Sequence, residues 1–129
     1  MTWAVLQHEI HDGVAFWGID QLGSLAGIMG AQDKSDVALI RHAYVQPKSQ
    51  HSGIGTILLK YIATTAAKPI LVGTWAAATW AITFYERNGY RRVPVAQQNS
   101  LLNRYWSIPQ RQIDTSVVLA NQRWFEQFE

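Results

Sequence analysis

The chain has 129 residues, of which 48% are hydrophobic and 16% are charged. This length and composition suit one domain with a single core and argue against disorder. The net charge of +2 comes from dispersed basic residues, which is too weak a footprint to predict a nucleic-acid partner. The absence of cysteine excludes disulfides, a thiolate nucleophile and a cysteine-based zinc site. No apolar run reaches membrane-spanning length and no secretion signal is visible, so one cytoplasmic domain over 1–129 without a membrane partner is predicted.

The first half of the chain predicts three strands followed by a helix. Strands rich in branched and aromatic residues span 14–20, 24–32 and 37–45, with polar turns between them, which is typical of an antiparallel meander. The helix follows a glycine loop and ends before Pro69. Its predicted apolar stripe, at i, i+3, i+4, i+7 and i+8, comprises Ile54, Ile57, Leu58, Tyr61 and Ile62.

The second half alternates strands and helices. A buried strand over 70–74, reached through the first helix, favours a right-handed parallel crossover. The elements expected after it are a helix over 77–88 with Gly89 as its C-terminal cap, a strand over 90–95, a short helix over 98–106, a break at Pro109, a strand over 113–119 and a helical tail. The predicted class is α+β, with a mixed, mostly antiparallel sheet flanked by helices.

The glycine loop carries the most chemical information. Gln50, Gly53 and Gly55 stand between a strand and a helix, where backbone N–H groups and the positive end of the helix dipole favour a phosphate or diphosphate. Glycine lets the diphosphate approach the backbone closely. The alternative is a plain strand-to-helix turn that uses glycine for packing. No Gly-Lys-Ser/Thr follows, so a P-loop is excluded.

A second motif spans 81–90 and carries Tyr85, Glu86, Gly89 and Tyr90. Together the two motifs resemble those of the GNAT acetyltransferases: Gln or Arg, two residues, Gly, one residue, Gly or Ala; and then a helical Tyr-Glu, two residues, Gly and an aromatic residue. The resemblance implies the acyl-CoA N-acyltransferase fold over roughly 14–119. Where the family often has Asn, this chain has Ala78, so Thr79 or Thr83 is the expected replacement.

The resemblance implies an N-acetyltransferase that transfers an acetyl group from acetyl-CoA, as co-substrate, to a primary amine of a small molecule or peptide. Transfer is by direct attack in a ternary complex. The residues that it assigns to acetyl-CoA are Ala43, Tyr44 and Val45, mainly through their main chain, and Lys48, Gln50, His51, Ser52, Gly53, Ile54, Gly55 and Thr56 around the diphosphate, with Arg87 near the adenosine phosphate. A solvated helix charge is the equal alternative for Arg87.

Tyr85 is the candidate general acid, because a phenol is protonated at neutral pH and can donate to a leaving thiolate. A packed tyrosine with a hydrogen-bonded hydroxyl is the alternative. The general base is open: the position that is glutamate in some family members is Leu39 here. His42 has a suitable ordinary pKa, although the alternative, a histidine of the sheet whose ring is hydrogen-bonded to backbone or water, is slightly favoured; Asp36 or a chain of water molecules could also accept the proton.

Only thirteen residues precede the first strand of the meander, so the fold is expected to be shortened at its N-terminus, where the family usually has a strand and one or two helices. An exposed sheet edge would result, and a homodimer is predicted to cover it.

Trp17 and Trp75 are the candidate walls of the acceptor pocket. His8 and His11 lack further ligands at suitable spacing, so no metal site is predicted. The competing function is a non-catalytic acyl-CoA-binding module.

Overall fold

A computed structural model describes residues 10–11, 13–50 and 52–128. The chain divides into two compact units, Met1–Ala67 and Lys68–Glu129. The described residues form six strands, three in each unit, together with helices, which agrees with the predicted α+β class. The single domain over 1–129 and the parallel crossover, which would join one unit to the other, stay predictions. Ile10 and His11 are helical, and the rest of the segment predicted to be shortened lies outside the described residues, apart from Gly13.

The first unit is built on the predicted meander. Strands β1 (Val14–Gln21), β2 (Ser24–Asp33) and β3 (Ala38–Val45) pair antiparallel in the order β1-β2-β3. Gln21 pairs with Ser24, and the two loop residues between them, Leu22 and Gly23, have φ of 51° and 82°. Positive φ at both positions identifies a type I′ hairpin turn, whose twist matches that of the flanking strands.

Helix α1 (Ile54–Thr65) packs on the meander, and its buried stripe differs from the predicted one. Ile54, Leu58, Leu59 and Ile62 are buried, but Ile57 and Tyr61 are 56% and 53% exposed. Ile54, Leu58 and Ile62 form a central row along the helix. Apolar residues lie on both sides of this row, Ile57 and Tyr61 on one side and Leu59 on the other. Periodicity alone does not reveal which side faces the sheet. The Leu59 flank is the buried one, and the stripe prediction was wrong at Ile57 and Tyr61.

The second unit has strands β4 (Ile70–Trp75), β5 (Arg91–Arg92) and β6 (Ser116–Ala120), with antiparallel pairing of β6 to both β4 and β5. All five residues of β6 are buried. The helices of this unit are α2 (Thr79–Arg87), α3 (Val95–Tyr105), α4 (Gln110–Asp114) and α5 (Gln122–Phe128). Asn121 joins β4 to α5, because its side-chain oxygen accepts from the N–H of Ile70 over 3.0 Å and from that of Trp124 over 3.4 Å.

Prolines account for two corrections in this unit. The strand predicted over 90–95 is confined to Arg91–Arg92, because Pro94 is the N-cap of α3 and starts that helix at Val95 rather than at Gln98. Pro109 does not simply interrupt the chain: it is the N-cap of α4. Ile113, predicted to begin the last strand, therefore lies in a helix, and β6 begins at Ser116. A proline with φ near −65° is compatible with a helix start as well as with a break.

The helices in the described ranges include none that is both long enough and apolar enough to cross a membrane.

Replacing Leu22 by Asn is expected to raise the free energy of unfolding by about 0.5–1 kcal/mol. A leucine in the left-handed region is strained, whereas Asn-Gly is a preferred pair in a type I′ turn. Leu22 is fully exposed, so no packing is lost. Urea denaturation of the variant measures the change. Leu22→Ala is the matched control, because it removes the same apolar surface but keeps the strain; equal gains in both variants would contradict the explanation.

Candidate functional site

Strand β3 is interrupted by a β-bulge. Two of its residues, His42 and Ala43, lie opposite the single residue Met29 of β2. His42 has φ of +57°, a left-handed conformation that is uncommon outside glycine and costs energy. A bulge bends its strand and changes the direction of the side chains. The bulge and the strand end after it are open to solvent, since Ala43 is exposed and Tyr44 is 57% exposed.

The imidazole of His42 stacks on an aromatic ring from β1. The ring centroids of His42 and Phe16 are 6.1 Å apart with an angle of 28° between the planes. Phe16 was not identified from the sequence, because cross-strand proximity leaves no signal in a single strand. Of the other positions considered for the base, Leu39 is fully buried and Asp36 lies in the turn before β3.

The loop between β3 and α1 is held by its own hydrogen bonds. Gln50 Nε2 donates to the Val45 carbonyl oxygen over 3.3 Å, which uses one of its two amide N–H groups. Ser49 is buried and its hydroxyl donates to Gln21 Oε1 of β1 over 3.2 Å. The hydroxyl of Ser52 donates to the carbonyl oxygen of Ser49. These bonds tie the loop to the hairpin.

The sequence also predicts Lys48 and His51 in this loop. Lys48 is exposed in a 3-10 turn formed by Pro47–Ser49. His51 lies outside the described residues.

The start of α1 has the properties of an anion site. Gly53 is its N-cap, with φ of +83°, no side chain caps the helix, and its first turn contains no acidic residue. The first helical hydrogen bond runs from the N–H of Ile57 to the carbonyl oxygen of Gly53. The N–H groups of Ile54, Gly55 and Thr56 therefore have no partner within the helix. They lie at the positive end of its dipole.

Space at this position is also suitable. A Cβ atom built on Gly53 would have no heavy atom within 4 Å, apart from its chain neighbours. The side of Gly53 on which a side chain would stand is therefore not occupied by another part of the described chain. An anionic group such as a diphosphate fits the uncapped N–H groups, their dipole and this open space.

In the second unit, the motif 81–90 forms the end of α2. The N–H of Tyr90 donates to the carbonyl oxygen of Tyr85 over 3.0 Å, and that of Gly89 to Glu86 over 3.1 Å. With φ of +90° at Gly89, this is a Schellman motif. Its usual apolar contact is made by the rings of Tyr85 and Tyr90, whose centroids are 5.8 Å apart. The spacing of the motif is thus explained by helix termination.

Tyr85 is 5% exposed and packs edge-on against Phe84. Burial raises the pKa of Tyr85 to about 12, so its hydroxyl holds its proton at neutral pH. Burial also raises the pKa of Tyr90, the nearby Tyr85 raises it further, and Arg123 lowers it. The Tyr90 hydroxyl is buried and makes no hydrogen bond within the described part of the chain.

The start of α2 has no side-chain cap. Ala78, in the place where the family often has Asn, is the buried N-cap residue. Thr79 and Thr83 are exposed and one turn apart, so both stay possible replacements for the missing amide. Arg87 is exposed in the last turn, where a cation is favourable near the helix C-terminus. Its predicted role at the adenosine phosphate stays a prediction.

The two tryptophans assigned to an acceptor pocket lie in different units. Trp17 is half-buried in β1, with its ring centroid 6.3 Å from that of Tyr61 in α1. Trp75 is 54% exposed at the end of β4. A tryptophan that was not assigned, Trp106, covers Gly73: its ring carbon Cζ2 is 3.2 Å from the position of a Cβ atom there. Gly73 and Trp75 are on the same face of β4, because side chains alternate along a strand.

The residues in the ranges 10–11, 13–50 and 52–128 contain no group of three or more His, Cys, Asp or Glu side chains placed to hold a metal ion. Of the N-terminal pair considered from the sequence, His8 lies outside these ranges. The absence of a metal stays a prediction.

Comparison with known proteins decides the family. Residues 12–92 match the sequence model of the acetyltransferase (GNAT) domain, a segment that includes both the glycine loop and the motif at the end of α2. The chain belongs to the GNAT acetyltransferase family. The resemblance inferred from the two motifs is thereby confirmed. No curated protein matches the chain in sequence.

Many solved structures share the GNAT fold. A GNAT acetyltransferase from Elizabethkingia anophelis with acetyl-CoA bound is 20% identical, with a TM-score of 0.70 over 93% of this chain and 82% of its own. A Bacillus subtilis acetyltransferase in complex with CoA is 16% identical, with a TM-score of 0.66 over 93% and 83%. The ribosomal-protein-S18-alanine N-acetyltransferase of Escherichia coli is 19% identical, with a TM-score of 0.65 over 94% and 77%. At these identities the likeness confirms the predicted fold.

The buried Tyr85 predicts a loss of stability in alkali. Its pKa is raised from 10 to about 12 in the folded chain, so the folded state binds its proton more tightly than the unfolded state. The stabilisation is fully present below pH 10 and is lost as pH rises toward 12, by up to about 2–3 kcal/mol. Urea denaturation between pH 9 and 11.5 measures the slope.

Tyr85→Phe is expected to make that slope shallower. Tyr61→Phe, at an exposed position, controls for the loss of a hydroxyl. A slope as steep in Tyr85→Phe as in the unmodified chain would contradict the assignment to Tyr85.

Proposed function

We propose that the chain transfers an acetyl group from acetyl-CoA to a primary amine of a small molecule or peptide, by direct attack in a ternary complex. The observation that carries the proposal is the uncapped start of α1 at Gly53, where three backbone N–H groups have no partner within the helix, the first turn contains no acidic residue, and a Cβ atom at Gly53 would meet open space. Solved relatives with acetyl-CoA and CoA bound support it, as does membership of an acetyltransferase family.

The glycine loop is proposed to hold the diphosphate of acetyl-CoA. Backbone N–H groups of Ile54, Gly55 and Thr56 donate to it, with Lys48 and the second amide N–H of Gln50 as further donors, and His51, Ser52 and Gly53 complete the surround. From the second bulge residue onward, the backbone of Ala43, Tyr44 and Val45 is proposed to pair with the amides of the pantetheine arm, in the manner of an added strand. The bulge supports this role, because it interrupts regular pairing at the start of that segment.

Acetyl-CoA supplies an activated thioester when it is bound. Tyr85 is proposed as the general acid, whose hydroxyl proton passes to the departing sulfur. Its pKa of about 12 keeps that proton in place at neutral pH until the thiolate forms. The incoming amine must be neutral and must lose a proton after the attack. His42, Asp36 or a water chain is proposed to accept that proton, and His42 has the geometric support of the bulge and the Phe16 ring.

The acceptor is proposed to lie near Trp17 and Trp75, whose rings suit an apolar or cationic amine. One structural relative acetylates an alanine of a ribosomal protein, which supports a peptide amine as one option. A homodimer and a cytoplasmic location complete the proposal.

The competing function is a non-catalytic acyl-CoA-binding module, which the substitution of Leu39 for a family glutamate favours. Thermal-shift titration with acetyl-CoA, with CoA and ATP as controls, tests the site that both functions share. Specific saturable stabilisation is expected for the CoA compounds. Thiol release in an amine panel then separates enzyme from binding module.

Gly53→Asp is expected to abolish binding of acetyl-CoA, whereas Gly53→Asn is expected to retain part of it. Asp and Asn have similar size and both tolerate positive φ, but only Asp places a negative charge at the helix start and repels the diphosphate. We expect the dissociation constant for Asp to exceed that for Asn at least tenfold, by about 1.4 kcal/mol. Isothermal titration calorimetry measures both. Equal affinities would show that the diphosphate does not lie at Gly53.

Tyr85→Phe is expected to lower kcat about 100-fold while KM for acetyl-CoA changes less than twofold. The change removes only the hydroxyl and keeps the ring contacts, so general-acid catalysis is lost. Tyr90→Phe is the matched control, because it removes the neighbouring buried hydroxyl, which has no assigned role. Steady-state kinetics with an amine identified in the panel measure the effect. If both variants turn over like the unmodified chain, Tyr85 is not the acid.

A further inference from the structure

Strand β1 is the outer strand of the meander. Within the part of the chain that the structure describes, β1 pairs only with β2. Directly before β1, the N–H of Gly13 donates to the carbonyl oxygen of Ile10 over 3.0 Å, so these two residues belong to a helical turn and not to a strand along the outer edge. Four of the eight residues of β1 are exposed. The strand therefore offers a row of backbone N–H and C=O groups to a partner.

Edge strands usually carry features that prevent pairing with another chain, and β1 lacks most of them. Its sequence has no proline, lysine or arginine, and Asp20 is its one charged residue. Its eight residues exceed the common strand length of about five or six. The bulge opposite Ile19 and Asp20 has its extra residue, Ala26, in β2, so β1 itself is uninterrupted. Such an edge is suited to pairing with another strand.

An exposed apolar side of α1 lies next to this edge. Ile57 and Tyr61 are exposed and, at i and i+4, share one face of the helix. The Tyr61 ring centroid is 6.3 Å from that of Trp17 in β1, which places this side of the helix beside the edge strand. Ile19 is on the same face of β1 as Trp17, and both are half-buried. Together these four residues are the edge patch.

The edge patch has the composition of a protein interface. None of its members is charged, and tryptophan and tyrosine are enriched among the residues that dominate binding energy. Lys60 and Thr64 are exposed on α1 farther from the sheet and supply the polar rim that is usual around an apolar interface. Ile57 and Tyr61 also belong to the apolar stripe of the sequence but not to the core of the unit. Burial against a second molecule would complete that stripe.

We propose that β1 pairs antiparallel with β1 of a second copy of this chain, and that the two edge patches meet above the shared seam. The inference rests on the homodimer of the proposed function and specifies its interface. Two identical antiparallel strands are related by a two-fold axis, so each copy offers the same surface to the other. This axis is perpendicular to the sheet, and both α1 helices therefore lie on one side of it.

The spacing of the elements favours a second copy over a single bound strand. Helix α1 packs mainly on β2, and three strand spacings would separate the two copies of β2, roughly 14 Å in all. Helices in direct contact are about 8–10 Å apart, so a gap remains between the two α1 helices. Trp17, Ile57 and Tyr61 of both copies are available to fill it. A lone peptide strand would pair with the edge but leave the exposed side of α1 uncovered.

Sedimentation equilibrium over chain concentrations from about 1 to 100 µM tests the association. We expect a dimer, and we expect Tyr61→Lys to raise its dissociation constant at least tenfold, because each copy then brings a cation into the apolar seam. Val95→Lys is the matched control, since Val95 is an exposed apolar residue of the second unit, and it should change the constant less than twofold. A monomer at the highest concentration, or equal effects of the two variants, would overturn the proposal.

Amide hydrogen exchange separates pairing of the strands from contact between the helices alone. In the dimer every second N–H of β1 gains a hydrogen bond, so we expect those amides to exchange at least tenfold more slowly at the high chain concentration than at the low one. Tyr61→Lys should remove this difference, and its remaining protected amides report that it is folded. Equal exchange of the β1 amides of the unmodified chain at both concentrations would overturn the pairing.

Titration with acetyl-CoA keeps this proposal apart from the proposed function. Tyr61 lies two turns from the start of α1, so we expect Tyr61→Lys to bind acetyl-CoA within twofold of the unmodified chain. A monomeric chain that binds acetyl-CoA would overturn the dimer and leave the cofactor site standing. A dimer with protected β1 amides that does not bind acetyl-CoA would support the interface and contradict the cofactor site.

Discussion

The termination of α2 at Gly89 determines the arrangement of the second unit. At a φ of +90° the chain reverses, and the N–H of Tyr90 reaches back to the carbonyl oxygen of Tyr85. The same reversal brings the two tyrosine rings together and directs Arg91–Arg92 into pairing with β6. One backbone conformation thus positions the candidate acid, buries it, and starts the next strand. Because burial raises the pKa of Tyr85 to about 12, helix termination also raises the pH at which the proposed catalytic group loses its proton.

In the first unit, Gly53 and His42 are two of the residues that also have a positive φ, at very different cost. At Gly53 the conformation costs little, because glycine has no Cβ. At His42 a bulky side chain adopts it at an energetic cost. Such strain persists where the surrounding structure over-determines it, and it often accompanies function. Here β2 pairs on both sides of the bulge, and the ring of Phe16 stacks on the imidazole.

Much of this architecture could be predicted from local sequence patterns. The meander follows from branched residues and polar turns, the helix start at the glycine loop from Gly53 and Gly55 before an amphipathic stripe, and the helix end from Gly89. What local patterns missed depends on contacts between distant residues. Periodicity did not reveal that Leu59, and not Tyr61, faces the sheet, and proline signals do not separate a helix start from a break. The bulge at His42 arises from the register of two strands. The contact between the Trp106 ring and Gly73 joins residues that are far apart in the chain.

The contact between Gly73 and Trp106 has an evolutionary consequence. The indole ring lies where a side chain at position 73 would stand, with Cζ2 3.2 Å from the Cβ position. An alanine at 73 would require the ring to move by a few tenths of an ångström, and a smaller residue at 106 would leave a void over β4. The effect of a substitution at either position therefore depends on the residue at the other. Such epistasis should make the two positions change together in a lineage.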